Sequence, residues 1–407
     1  MSRRSSSAIS GARTARATAW GLALAFVLFV ALAMAACSKS SSTGPSSDLR
    51  PPSTMPSCPS GAFLTTSPVA INVLGSIAPL GNLNPSGHVF PSDHTYWAMA
   101  GGYHGASPAI VAPGNITIVQ AGRQSNQTGN QAMLYDYTLK FYACSDVMFY
   151  FYHISTLSPA LLNEIGSFDK GCETPYSTGG TNFAQCYVDV QIPVTAGTAL
   201  GVLGTGGGSG ISDFGAYDAR IASLAFVNPG RVIGQSLQTV CPIDYFVPAV
   251  ADSLRSLLGG YGGNRRTVAP ICGTIMQDVA NTAQGRWYFD ATTMEDHHLA
   301  LVHDNADPML GVISMGTSVP SIPVSTYPFT PLPAGKVNAD FSRVTADGSI
   351  YCYQNSSQTG LLYWQNSIHV LVQMPTPTTL RIAGASGATC GSDPAAWSMT
   401  GTVLFQR

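Results

Sequence analysis

Short runs of β-branched and aromatic residues, each broken within a few positions by Gly or Pro, fill the chain from about residue 62 onward. The clearest are Ala109-Ile110-Val111-Ala112, Asn115 to Val119, Tyr135 to Tyr142 and Val147 to Tyr152. Later examples are Gly285 to Phe289, His298 to His303, Ser349 to Tyr353 and His369 to Gln373. Such side chains suit a pleated, half-buried surface. The Gly and Pro between them end any helix before it can pack. Two short helices remain. Ser158 would cap Pro159 to Ile165 with Gly166 as its stop, and Pro248 to Leu258 carries Val250, Leu254, Leu257 and Leu258 on one face. The expectation is an all-β chain in two units, 62–240 and 241–407. No fixed-period repeat is present.

Composition narrows what such a chain can do. Charged residues make up 10% of it and hydrophobic ones 45%. An ordinary soluble domain carries roughly 25% charged residues. Disorder is excluded by this hydrophobicity, and a coiled coil by the lack of Glu and Lys. Only one stretch is apolar for about 18 residues, so the chain is not a polytopic membrane protein. Lys and Arg number 19 against 21 acidic residues, which leaves no basic surplus for nucleic acid.

That one apolar stretch is an address. Arg3, Arg4, Arg13 and Arg16 precede an uncharged run from Ala17 to Ala36, which ends in Met34-Ala35-Ala36-Cys37. A basic start, an apolar middle and small residues before a cut form a secretory signal over residues 1–36. The alternative is an uncleaved membrane anchor. Either exports the remainder, and removal of the four arginines leaves 15 basic residues against 21 acidic ones, a net charge of −6. Residues 37–61 are Ser/Pro-rich and read as a tether. Besides Cys37, eight cysteines remain, an even number that suits disulfides in an exported chain. Sequence does not fix their connectivity. Neighbour pairing would join Cys172 to Cys186, Cys241 to Cys272 and Cys352 to Cys390. No Cys-x-x-Cys or His-Glu-x-x-His is present to hold zinc by itself.

Two resemblances add to this reading. Met34-Ala35-Ala36-Cys37 resembles the lipobox of bacterial lipoproteins, which implies diacylglyceryl modification of Cys37 and a lipid-anchored place in the cell envelope. In the first unit, four segments follow one order: Gly87-His88 to His94-Thr95-Tyr96, Ile110-Val111-Ala112-Pro113-Gly114, Phe149 to Ser158 with His153, and Val194 to Gly206 running on to Asp213-Phe214-Gly215. This order resembles the lysostaphin/LytM family of zinc endopeptidases, which cut peptidoglycan. The resemblance covers about 130 residues, Pro85 to Asp218. It implies a LytM-like β-sheet domain, with His153 as the catalytic His and His94, or His88 with Asp93, as metal ligands. The family's His-x-His before its last strands is absent, because Asp213-Phe214-Gly215 stands there. Asp213 could ligate through oxygen and Gly215 cannot.

The missing His-x-His sets the functional expectation. It is an envelope lipoprotein whose metallopeptidase-like domain binds peptidoglycan or regulates wall hydrolysis without catalysis. A second reading is an atypical zinc endopeptidase assembled from His88, Asp93, His94 and Asp213 around one zinc. A third is a glycan-binding or adhesive surface lipoprotein. Tyr96 and Trp97, beside His94, are the candidate substrate contacts, since aromatic rings stack on sugars. The cluster Glu295-Asp296-His297-His298 with His303-Asp304 reads as an exposed strand flanked by loops, because alternation sends its histidines to opposite faces.

Overall fold

The computed structural model describes residues 51–100, 107–130, 132–178, 181–203, 211–292, 294–355 and 368–407. The signal segment, Cys37 and the Gly-rich stretch 204–210 lie outside the described residues. The chain is all-β, with antiparallel sheets throughout.

The first unit is one large sheet. Its strands are β1 (Leu74–Ala78), β2 (His94–Met99), β3 (Ala109–Val111), β4 (Ile116–Thr128), β5 (Leu134–Cys144), β6 (Val147–Leu157), β7 (Tyr176–Thr178), β8 (Thr181–Val194), β9 (Ala199–Leu203), β10 (Ile211–Asp218) and β11 (Thr239–Val240). They run in the order β1-β2-β10-β6-β5-β4-β8-β7, with β9 bridging β3 and β6, and β11 on β10. Alternation along the strands divides the sheet into two faces. Trp97, Leu139, Phe141, Phe149, Phe151 and Phe214 point to one side and build the first core. Helix α1 (Pro159–Ile165) forms as its signals predict. The Ser158 hydroxyl accepts from the Leu161 N–H, and Gly166, at φ 76°, ends it. Helix α2 (Pro248–Arg255) buries Ala251 and Leu254 in the same core, as do Ile243, Phe246 and Leu258. The stretch 241–258, read from sequence as the start of the second unit, therefore packs with the first.

The second unit is two four-stranded sheets. One holds β12 (Gly285–Trp287), β13 (Leu299–His303), β14 (Gly311–Met315) and β15 (Ser325–Phe329). The other holds β16 (Ile350–Tyr353), β17 (Ile368–Thr376), β18 (Thr379–Ser386) and β19 (Val403–Gln406). Side chains of both meet in a single core that includes Trp287, Leu301, Tyr327, Tyr353, Val372 and Phe405. The expectation of an exposed strand at 298–303 is corrected here. β13 lies between β12 and β14 and is buried along most of its length, because Leu299, Leu301 and the small Ala300 can pack on both faces.

Four disulfides close the framework: Cys58–Cys144, Cys172–Cys186, Cys241–Cys272 and Cys352–Cys390. Three are the expected neighbour pairs, and the fourth pins the end of the tether segment, at Cys58, to the end of β5. This number of disulfides belongs to an oxidising, exported environment. Among the described residues, no helix is long and apolar enough to cross a membrane.

Candidate functional site

The sheet face opposite the first core is polar. An open cleft of about 260 Å³ lies over it, roofed on one side by residues of the second unit. Register sets its floor. On β10, Asp213 lies opposite Tyr96 of β2 and Tyr152 of β6, and Gly215 lies opposite His94 and Tyr150. One strand further, Lys140 of β5 lies opposite Tyr150, and Gln124 of β4 lies between Asp136 and Gln185.

His153 reaches this face through a distortion. Between the pairs Leu139–Phe151 and Tyr137–Ile154, β6 spends one residue more than β5. His153 sits in this bulge at φ 65°, a conformation that L-residues other than Gly, Asn and Asp rarely adopt. Strict alternation would bury either Tyr152 or His153 in the core. With the extra residue, both line the cleft.

Two histidines converge on one carboxylate. His94 Nε2 and His153 Nε2 each stand 3.3 Å from Asp213 Oδ2. Behind each ring stands a second carboxylate. His94 Nδ1 is 3.1 Å from Asp93 Oδ1, and His153 Nδ1 is 2.6 Å from Asp136 Oδ2. A carboxylate only accepts, so each Nδ1 carries the proton and, in the neutral ring, Nε2 carries the lone pair. With both rings neutral, two such lone pairs would repel the carboxylate oxygen; a proton on either Nε2, or a metal cation between them, turns that repulsion into attraction. His94 Nε2 and Asp213 Oδ1 are shielded from solvent and make no hydrogen bond among the described residues. Asp213 is 2% exposed. Burial opposes its charge, but His94 and His153 outweigh that and hold its carboxyl below the usual range. Burial likewise opposes a charged His94, yet Asp213 and Asp93 raise its pKa. The field at this point thus favours a positive charge.

Asp93 has a different role from the ligand expected of it. Its Oδ1 accepts from His94 and from the Tyr150 hydroxyl at 2.8 Å, and its Oδ2 accepts from Tyr217 at 2.6 Å and Ser236 at 2.7 Å. Four donors occupy it, so it orients His94 and has no oxygen left for a metal. Gly215 makes room for this arrangement. A Cβ there would lie 2.1 Å from Tyr150 Cζ. His88 lines the cleft with its ring edge-on to His94, centroids 5.4 Å apart. Burial, and then the charge of His94, lower its pKa to about 4, so its ring is neutral at pH 7.

The aromatic expectations divide. Tyr96 packs beside the His94 ring at 4.6 Å and is buried. Trp97 is 1% exposed and sits on the other face, edge-on to Phe214, with its N–H on Thr95. It is a core residue and no substrate contact, because successive strand residues face opposite ways. Asp136, Tyr150, Tyr217 and Ser236 are site residues that sequence reasoning did not single out, and Glu295, read from sequence only as part of an exposed cluster, lines the cleft as well. Glu295 comes from the second unit, and burial raises its pKa to about 7.

Among the described residues, no group of three or more His, Cys, Asp or Glu side chains is placed to hold a metal ion as it stands. The donor set is nevertheless of the right kind, namely imidazole nitrogens and a carboxylate oxygen with carboxylates behind the rings. Ligands at about 2.1 Å on a tetrahedral zinc stand roughly 3.4 Å apart. The 3.3 Å between His94 Nε2 and Asp213 Oδ2 matches that spacing. The chain matches no protein-family model, and no curated protein is significantly similar to it.

Proposed function

We propose that the cleft is the active site of an exported, metal-dependent hydrolase that cuts peptide bonds of the cell envelope, as an atypical zinc peptidoglycan endopeptidase would. The observation that carries this reading is the pair of carboxylate-backed histidines whose Nε2 atoms flank the buried Asp213. His88, His94 and Asp213 would hold the metal. Zinc bound there supplies a polarised carbonyl and a water acidic enough to deprotonate near neutral pH. His153 then stands at the edge of the ligand set, oriented by Asp136, where its Nε2 can take a proton from an attacking water and return it to the leaving amine. Asp213 takes the place of the absent His-x-His.

The floor beside this centre suits an extended polar chain. Lys140, Gln124, Gln185, Thr138 and Tyr187 line it. Gly122 lets the Tyr187 ring lie flat, since a Cβ would meet that ring at 3.0 Å. Burial holds the pKa of Lys140 down, and no carboxylate lies within ion-pair distance of it among the described residues. Its ammonium is thus available to a carboxylate of a bound peptide. Anchoring through a lipid on Cys37 would hold this cleft at the wall.

The test is hydrolysis of purified peptidoglycan by the exported chain. Activity that is abolished by a chelator, restored by zinc and lost in Asp213→Ala and His153→Ala supports the reading. Peptidoglycan binding without turnover, unaffected by chelator, would favour the second reading. That is a groove that binds wall peptides or regulates a wall enzyme without catalysis, which the lack of a ready-made cage supports.

A further inference from the structure

The loop that carries His88 and Asp93 and leads into His94, the first residue of β2, has little regular structure of its own. It leaves the sheet after β1 and returns at β2, held locally by an Asn84–His88 bridge and by Ser92 on Gly81 and Asn82. Its midpoint, Phe90, is 4% exposed, and what buries it belongs to the second unit. Three kinds of contact meet there. The Phe90 N–H donates to Glu295 Oε2 at 3.1 Å. The Pro91 carbonyl accepts from an Arg286 Nη at 3.3 Å. The Phe90 ring stacks on His298 at 5.4 Å, meets Tyr288 edge-on at 5.2 Å, and lies under the Arg286 guanidinium at 5.0 Å.

Resting on the metal-binding reading of the cleft, we propose that Glu295 and Arg286 are positioning residues. Through Phe90–Pro91 they clamp the His88–His94 loop, so that metal capture by the first unit depends on the second. Glu295 grips a backbone N–H in the middle of the loop and Arg286 the next carbonyl, so the loop is fixed at its backbone as well as at its ring. One residue lies between Phe90 and His88 on one side and three between Phe90 and His94 on the other. A shift at the clamp therefore moves His88 against His94 and Asp213, which β2 and β10 hold in the sheet. Both clamp residues also line the cleft, so the second unit forms part of the site wall.

The test uses the full exported chain and measures zinc affinity by competition with a chromophoric chelator. Outer partners of metal ligands typically change affinity by about 10–100-fold. That loss is expected for Glu295→Ala and for Arg286→Met. Glu295→Gln keeps an oxygen that can accept the Phe90 N–H, so it should stay close to wild type, a rescue that a general loss of packing would not show. Should Glu295→Ala not fold, Arg286→Met and Phe90→Leu carry the test, with the same loss expected. Wild-type affinity in all of these variants, or a Gln variant as weak as the Ala variant, would overturn the clamp and leave the metal site standing. A wild-type chain that takes up no zinc would overturn the metal reading and the clamp with it.

Discussion

Asp136 is the most informative residue to change, because the structure gives it one job. Its carboxylate accepts the Nδ1 proton of His153 at 2.6 Å. This bond fixes the ring's tautomer and aims Nε2 at Asp213. The backbone contributes little to that aim, since φ 65° at His153 costs about 1–3 kcal/mol and persists only where its surroundings hold it. A hydrogen bond to a charged group is worth about 1.5–3 kcal/mol, and each 1.4 kcal/mol is roughly tenfold. Asp136→Ala should therefore lower kcat on peptidoglycan fragments by about 10- to 150-fold. Asp136→Asn, whose neutral oxygen still accepts, should fall less. With His153 acting as a base and His88, His94 and Asp213 as ligands, KM and zinc affinity should change little. Steady-state kinetics beside chelator competition separates these quantities. A kcat within about twofold of wild type in the Ala variant would refute the base assignment. A collapse of zinc affinity with it would make His153 a ligand instead.

Other consequences follow from single contacts. Gly215→Ala drives a Cβ into the Tyr150 ring, and such overpacking costs about 1–3 kcal/mol. Thermal unfolding should show a Tm several degrees lower, and zinc affinity should fall because Tyr150 supports Asp93. Removing the Cys241–Cys272 bond, which spans 31 residues, should cost about 4 kcal/mol in denaturant unfolding. In the second unit, His303 and Asp340 form a pair at 3.2 Å. The bond from Asp340 raises His303 above its ordinary 6.5, and the same bond lowers Asp340 below 3.8. The His303 contribution is complete below pH 6.5 and is lost as pH rises through the elevated pKa. The Asp340 contribution is complete above pH 3.8 and is lost as pH falls through the depressed one. Unfolding measured against pH should lose this dependence in Asp340→Asn.

Much of the fold could be read directly from local chemistry. Helix α1 has the bounds its Ser158 cap and Gly166 stop predict, and every β-rich run singled out contributes a strand. Three cysteine pairs follow neighbour order because each loop folds back within its own unit. The site was legible only in part. Asp136 lies 17 residues before His153, and only the β5–β6 register brings them together. The tight Ser145-Asp146 turn between two β runs was the available signal, since it fixes that register. Trp97 was misplaced because its proximity to His94 in sequence was read as proximity in space, although strand alternation sends the two to opposite faces. Asp93 was taken for a ligand because sequence shows its type but not the four donors that fill it. Glu295 and Arg286 reach the site only through packing of the two units, about 200 residues from the loop they hold. No local pattern could announce that contact.

The proposed mechanism stands or falls with a cation held by His88, His94 and Asp213, with His153 at its edge. X-ray absorption at the zinc edge, on the zinc-loaded and dialysed chain, tests it most directly. The expected result is about one zinc per chain with nitrogen and oxygen ligands only, at about 2.0–2.2 Å, and loss of that signal in Asp213→Ala. No retained zinc, or a zinc spectrum unchanged in Asp213→Ala, would contradict it.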